Sequence, residues 1–216
     1  MARSVRRRPP LLAAAVAWSA AGVGYLAAEA VAASGFPGYG YADDYISDLG
    51  VPGRSPLAAV MNLGFVWQGL LFAAAGVLVF KAGCRGRALF LALALVHGAG
   101  NVLVAVVHSD AAADGWHVAG AGMAIVGGNA AVVTAGLSLR GGYRIASVVI
   151  GLAGLASLLA LAGGSPAGLW ERGSVYTIIG WELLAATAVF ASSASKKNSQ
   201  GSPSSTSGSK GSSSRS

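Results

Sequence analysis

Six long apolar runs divide the chain, and charged residues or Gly/Pro turns bound each run. Because an α-helix rises about 1.5 Å per residue, roughly 20 apolar residues cross about 30 Å of hydrocarbon. The pattern therefore predicts an all-α fold, a polytopic membrane helix bundle with about six transmembrane helices in a membrane domain at 11–191. The predicted runs extend from Leu11 to Ala33, Leu57 to Phe80, Ala88 to Val107, Val118 to Leu139, Ile145 to Ala162 and Ser174 to Ala191.

The two ends of the chain have a different composition. Residues 1–10 are basic, and residues 192–216 consist mainly of serine with Gly, Lys and Asn. A segment with so little apolar surface cannot offset the entropy lost on ordering. We expect a short cytoplasmic amino terminus and a disordered Ser-rich carboxy-terminal tail.

Composition points to the bilayer as the solvent, since 54% of the residues are hydrophobic and only 11% are charged. The formal net charge of +7 comes from short clusters of Lys and Arg beside the apolar runs. This arrangement is typical of topology signals and does not indicate a nucleic-acid surface. The expected partners are therefore membrane lipids and no nucleic acid, and the oligomeric state stays open.

Lys and Arg sort almost completely to one side of a six-span arrangement, and the acidic residues sort to the other. Since basic loops stay in the cytoplasm, the pattern predicts a multi-pass protein of the cell membrane with both termini cytoplasmic. Removal of the first run as a signal peptide is an alternative, because arginines precede it and small residues end it. Only Arg54 and Arg172 lie on the predicted outer side; the cytoplasmic set is Arg3, Arg6, Arg7, Arg8, Lys81, Arg85, Arg87, Arg140, Arg144, Lys196, Lys197, Lys210 and Arg215.

The longest outer loop, Ser34 to Pro56, combines aromatic residues with three aspartates. One interpretation is a turn-rich solvated loop in which Ser47 or Asp48 caps backbone donors. In the other, Asp48 folds back over the helix ends and binds a cation or a polar head group. No Gly-x-Ser-x-Gly motif surrounds Ser47, which argues against a conventional nucleophile.

Several motifs together resemble a known family. They are Tyr45-Ile46-Ser47-Asp48-Leu49-Gly50, Asn62 and Gly69 in the following span, His117, and Gly168-Leu169-Trp170-Glu171-Arg172 leading to Trp181. This set resembles the domain-of-unknown-function 998 family of bacterial membrane proteins, over roughly Leu11 to Ala191. The Ile-Ser-Asp-x-Gly loop is also distantly similar to that of the damage-regulated autophagy modulator family. The resemblance implies a six-span fold and brings no established reaction.

Span three carries a polar stripe. At 100° per residue, His97, Asn101 and His108 fall on one face, which we expect to face protein or water. Asp110 and His117 follow, so that His108, Asp110 and His117 form a hypothetical site for zinc or another transition metal. The competing interpretation is that these are ordinary polar residues of a short outer loop and bind no metal, because no His-Glu-x-x-His motif is present.

A second polar group is predicted deeper in the membrane. His97 lies 11 residues below His108 and Glu182 lies 11 below Glu171, about 16 Å in each case, so the two deep residues share a level. A carboxylate at that depth is expected to be neutralised, paired with His97, or in contact with water. Gln68 and Asn129 are placed to join this layer. It is either a hydrogen-bond layer that fixes helix packing or a pathway for protons or solutes.

Three functions fit these patterns. The first is a non-enzymatic membrane protein whose outward-facing polar pocket, formed by Glu29, Asp48, Asn101, His108 and His117, binds a lipid head group, ion or small solute. The second is a proton-coupled transporter using His97 and Glu182, and the third is a metal-dependent lipid hydrolase. The candidate ligand-binding residues are Glu29, Ser47, Asp48, Asn62, His97, Asn101, His108, His117, Glu171, Arg172 and Glu182.

Overall fold

Six α-helices make up nearly all of the computed structural model, which describes the backbone of residues 8–110 and 114–201. Side chains are described for residues 9–110 and 115–195. The predicted all-α fold is confirmed over this part of the chain. The helices are α1 (Arg8–Ser34), α2 (Ala58–Lys81), α3 (Arg87–Val106), α4 (Asp114–Ser138), α5 (Gly142–Ala162) and α6 (Ala167–Gly201), with a short 3-10 helix at Ser47–Gly50 between α1 and α2.

All six helices are long and apolar enough to cross a membrane, so the protein is a multi-pass membrane protein. The predicted spans agree with the helices except at α6, which begins at Ala167, well before Ser174. The helix also continues to Gly201, past the predicted boundary at Ala191. Residues 1–7, and residues 202–216 of the predicted disordered tail, lie outside the described residues.

The helices form a ring in which each packs against its neighbour in the chain, and α6 closes the ring against α1. Small residues permit close approach. A Cβ atom on Gly69 of α2 would lie 2.8 Å from the carbonyl oxygen of Gly98 in α3, and a Cβ on Gly98 would meet Gly69 equally closely. Since lipid provides no hydrophobic drive between helices, such contacts supply the dispersion energy that holds the bundle together.

The two ends of the bundle differ in charge. The acidic end comprises the loop 35–57 together with residues 107–110 and the connection 163–166, and the basic end comprises the connections 82–86 and 139–141 with their flanking Lys and Arg residues. Each half has its own apolar cluster. At the basic end Trp18, Phe72, Phe90 and Trp181 pack together, with 5.2 Å between the ring centroids of Trp18 and Trp181. The cluster of the acidic half contains Tyr25, Ile46, Leu49, Met61 and Phe65.

Candidate functional site

The loop between α1 and α2 folds back into the acidic end. Ile46, Leu49 and Val51 are buried, although they lie in a stretch without regular structure apart from one 3-10 helix. That helix has no side-chain cap. The segment is rich in turns and partly exposed, as one interpretation expected, but Ser47 and Asp48 do not cap this helix, and the apolar residues pack among the helix ends.

Asp48 is paired with a cation of the same loop. Its side chain is only 11% exposed, and Arg54 Nη1 donates a hydrogen bond of 2.5 Å to Asp48 Oδ1. Burial raises the pKa of Asp48, and the positive charge of Arg54 opposes that rise. The carboxylate thus already has a protein partner at the position where the sequence suggested an external ligand.

Arg172 joins the loop to the helices. Its Nε donates to Glu29 Oε1 over 3.0 Å, and both side chains are buried. Its Nη1 donates to the carbonyl oxygens of Tyr41 and Asp44 over 2.5 and 3.0 Å. Because these groups come from α1, the loop and α6, one guanidinium ties three segments together. If any one of these hydrogen bonds were absent, a polar group would be buried away from water without a partner, which is costly.

Tyrosines surround this ion pair. The Arg172 guanidinium lies 4.6 Å from the ring centroid of Tyr41 and 5.5 Å from that of Tyr39, whose hydroxyl also accepts a hydrogen bond from Nη2. Tyr176 donates to the second Glu29 oxygen over 2.9 Å. Burial raises the pKa of Tyr39, which keeps its hydroxyl protonated. The sequence did not lead us to include Tyr39, Tyr41 or Tyr176 among the candidate site residues. The signal that could have found them was Arg172, an arginine on the acidic side, together with a loop rich in tyrosine.

The first turn of α6 binds the loop backbone as well. Glu171 Oε2 accepts a hydrogen bond from the amide of Ile46, and the Leu169 amide donates to the Ala42 carbonyl over 2.8 Å. A Cβ on Gly168 would lie 2.8 Å from the Tyr41 oxygen, so only glycine permits this approach. Together with the bonds of Arg172, these hydrogen bonds compensate Glu171 and Arg172 for the water contacts that they lose on burial. The helix can therefore include both charged residues, and α6 begins earlier than its apolar run predicted.

The proposed metal ligands do not come together. His108 Nε2 lies 3.3 Å from Asn62 Nδ2, which also donates to the Gly50 carbonyl over 2.9 Å. His117 Nδ1 donates to the Val107 carbonyl over 2.7 Å. Within residues 8–110 and 114–201 no group of three or more His, Cys, Asp or Glu side chains is suited to hold a metal ion. The predicted cluster of His108, Asp110 and His117 was wrong, because His117 instead bonds the carbonyl at the end of α3 and His108 contacts the Asn62 side chain.

Glu182 and His97 are both buried within the bundle, but they are not paired with each other. Gln68 Nε2 donates to Glu182 Oε1 over 2.9 Å. His97 Nδ1 donates to the Ala124 carbonyl over 2.7 Å, which leaves Nε2 to accept from Asn101 Nδ2 at 3.2 Å. Asn129 bonds to Ile125, Ser174 and Thr177 and stays outside this group.

Beneath the loop lies a cavity of ≈ 40 Å³. Of the pocket predicted from Glu29, Asp48, Asn101, His108 and His117, only Asn101 lines it. Glu29 and Asp48 are occupied by Arg172 and Arg54, which removes them from any open site. The polar side chains that line the cavity are Tyr25, Ser47, Gln68, His97, Asn101 and Glu171.

Two buried oxygens of this region have no hydrogen-bond partner among the described residues. They are Gln68 Oε1 and Glu182 Oε2, on side chains that are bonded to each other through their other polar atoms. Glu182 Oε2 lies beside Gly22 of α1, where an added Cβ would be 3.2 Å away. A buried oxygen without a partner is costly, because it has lost its hydrogen bonds to water.

Comparison with known proteins adds the family and no activity. No curated protein and no solved structure matches the chain. The model of one family matches residues 5–188, which include the first five helices, the loop and α6 up to residue 188, and that family is described as a protein of unknown function, DUF998. The chain belongs to this DUF998 family of proteins of unknown function.

Proposed function

We propose that this protein is a non-enzymatic membrane protein that binds a small cation in the cavity beneath the loop. The size of the cavity sets the class of ligand. A water molecule needs at least about 10–15 Å³ of such space, so ≈ 40 Å³ suits a single ion with one or two waters. A lipid head group is too large for it. We therefore favour an ion over the larger ligands considered from the sequence.

The observation that carries the proposal is the Gln68–Glu182 pair. Gln68 lines the cavity and hydrogen-bonds Glu182, which does not itself line the cavity, and each residue retains one buried oxygen without a partner among the described residues. Oxygen atoms of carboxylates and amides are the ligands that hard cations prefer. A carboxylate at this depth costs several kcal/mol unless it is neutralised, and a bound cation would neutralise it.

Other polar groups around the cavity suit a supporting role. Asn101 donates to His97, and His97 donates to the Ala124 carbonyl. The orientation of both side chains is therefore set before a ligand binds. Ser47 and Glu171 bring the loop and the start of α6 to the same cavity. Access to the site would then depend on the loop, whose bonds to Arg172 and Glu171 hold it in place.

Thermal unfolding of the purified protein in detergent tests the proposal. We expect one of Na⁺, K⁺, Li⁺, Mg²⁺ or Ca²⁺ to raise the unfolding temperature saturably, compared with a bulky organic cation at the same ionic strength. The increase should be lost in Gln68→Met and Glu182→Gln, which keep the side-chain size but remove an oxygen ligand or the charge.

Asp43→Asn is the matched control, because it removes one carboxylate from an exposed position in the loop. This variant should keep the full cation response. A wild-type protein whose unfolding temperature responds equally to all the cations would refute cation binding, as would variants of Gln68 and Glu182 with an unchanged response.

A further inference from the structure

A much larger cavity opens at the basic end of the bundle. It has a volume of ≈ 570 Å³ and lies between α1, α4, α5, α6 and the connection from α2 to α3. Cavities of about 300–1,000 Å³ are typical of sites for small organic ligands. This basic-end groove shares no lining residue with the cavity beneath the loop, so it is a separate site.

The inner walls of the groove are mainly apolar. Trp18, Phe90 and Trp181 line its deep part, and aliphatic residues of α4 and α6 line its sides. From Trp181 to Ser192 it follows α6 for about 16 Å at 1.5 Å per residue. A space of this shape suits a hydrocarbon chain. The Trp18 indole nitrogen in this deep part is buried without a hydrogen-bond partner among the described residues.

The mouth of the groove is positively charged. Arg85, from the connection 82–86, and Arg140, from the connection 139–141, both line it, together with the hydroxyl-bearing residues Ser138 and Ser192. No acidic residue is among the described residues that line it. Guanidinium groups bind phosphate through paired hydrogen bonds, and at a membrane surface they also attract anionic lipids.

We propose that the basic-end groove binds one anionic phospholipid from the adjacent leaflet. An acyl chain lies along the apolar walls, and the phosphate lies between Arg85 and Arg140. The two arginines flank helix ends at Lys81, Arg87 and Ser138, which is the level of the membrane interface where lipid phosphates lie. A soluble anion would leave the apolar walls uncovered, so the combination of walls and charge selects a lipid.

Lipid retention by the full-length protein tests this. The protein is reconstituted in nanodiscs with equal amounts of phosphatidylcholine and phosphatidylglycerol, extracted, and analysed by native mass spectrometry. We expect one retained phosphatidylglycerol in the wild type. In the double variant Arg85→Gln/Arg140→Gln, retention should fall by about tenfold or more, since two charge-assisted bonds are lost.

The control is the double variant Lys81→Gln/Arg144→Gln. It removes the same charge from exposed positions at the same end that do not line the groove. It should retain the lipid as the wild type does. Equal loss in the two double variants would mean general surface attraction and would overturn the proposal, as would equal retention of phosphatidylcholine or retention of no lipid.

A second measurement uses the single cysteine of the chain, Cys84, which lines the groove. Phosphatidylglycerol should slow the reaction of Cys84 with a maleimide in detergent, whereas glycerol phosphate, which lacks acyl chains, should not. Ala188→Phe, which places a ring in the groove, should abolish this protection. Equal protection by glycerol phosphate, or no protection by the lipid, would contradict the proposed occupant.

Discussion

The acidic and basic ends of this bundle handle charge in opposite ways. At the acidic end a loop packs over the helices, Glu29 and Arg172 are buried together, and the remaining cavity holds ≈ 40 Å³. At the basic end the charged residues lie exposed on the connections and the adjoining helix ends, and a groove of ≈ 570 Å³ stays open beneath them. One end is closed by polar contacts, and the other is held together by apolar packing deeper in the bundle.

The difference follows from the cost of burying charge. A charge moved out of water must find partners within the protein, and at the acidic end Arg172 finds a carboxylate, a hydroxyl and backbone carbonyls. Lysine and arginine near the interface keep their charged groups in water and need no such network. The stability of the acidic end therefore depends on a few buried polar residues. At the basic end, replacing the exposed charged residues should cost little stability.

The largest expected effect is loss of the Arg172 network. Arg172→Met leaves the Glu29 carboxylate buried with Tyr176 as its partner, and it releases the carbonyls of Tyr41 and Asp44. We expect the free energy of unfolding to fall by about 3–5 kcal/mol. Titration with a denaturing detergent measures this change, and limited proteolysis should cut the loop faster.

Arg54→Met is the control for that variant, because the Arg54 side chain is 53% exposed in its pair with Asp48. Its effect should stay below about 1 kcal/mol. If the two arginine variants lost equal stability, the buried network would not be what closes the acidic end.

Close approach at Gly168 gives the next largest effect. In Gly168→Ala the new Cβ would lie within 3 Å of loop carbonyl oxygens, 2.8 Å from Tyr41 and 2.9 Å from Ala42. We expect a loss of about 1–3 kcal/mol in the free energy of unfolding. Gly122→Ala, where the Cβ meets no atom within 4 Å, should be neutral or stabilising by up to about 1 kcal/mol. Similar losses in both variants would refute the steric explanation.

A bulky side chain placed in the basic-end groove should reduce stability less than one placed in the apolar cluster beside it. Ala188 lines the groove, whereas Ala186 is buried in the apolar cluster of the same half. We expect Ala186→Phe to lower the free energy of unfolding by about 1–3 kcal/mol and Ala188→Phe to change it by less than about 1 kcal/mol. A larger loss for Ala188→Phe in the same denaturation assay would mean that the groove is not open.

The smallest effect concerns pH. Burial raises the pKa of Asp48, so the folded protein binds more protons than the unfolded chain just above the ordinary aspartate pKa. Stability should therefore fall slightly as the pH rises through that interval, and Asp48→Asn should remove this dependence, with an effect below about 1 kcal/mol. The pH dependence of the unfolding temperature measures it. A stability that instead rises with pH in the wild type, and no longer does so in Asp48→Asn, would contradict the raised pKa.

Sequence patterns located several candidate residues but assigned some of them the wrong partners. Glu182 and His97 were predicted to share a level, and both are buried within the bundle. The partner of Glu182 is Gln68, because which side chains meet depends on how each helix is rotated about its axis. The metal hypothesis failed for the same reason, since closeness in sequence did not orient His108 and His117 toward a common point.

By itself the sequence determined the number of spans, their approximate limits and the separation of acidic from basic connections. These are local properties, because each span must satisfy its own backbone in lipid and each charge is excluded from hydrocarbon. Tertiary structure alone decided that the loop is a packed cap, that α6 begins at Ala167 and so includes Glu171 and Arg172, and that a groove opens at the basic end. Those features arise from contacts between distant segments, and their energies depend on packing geometry that no single segment specifies.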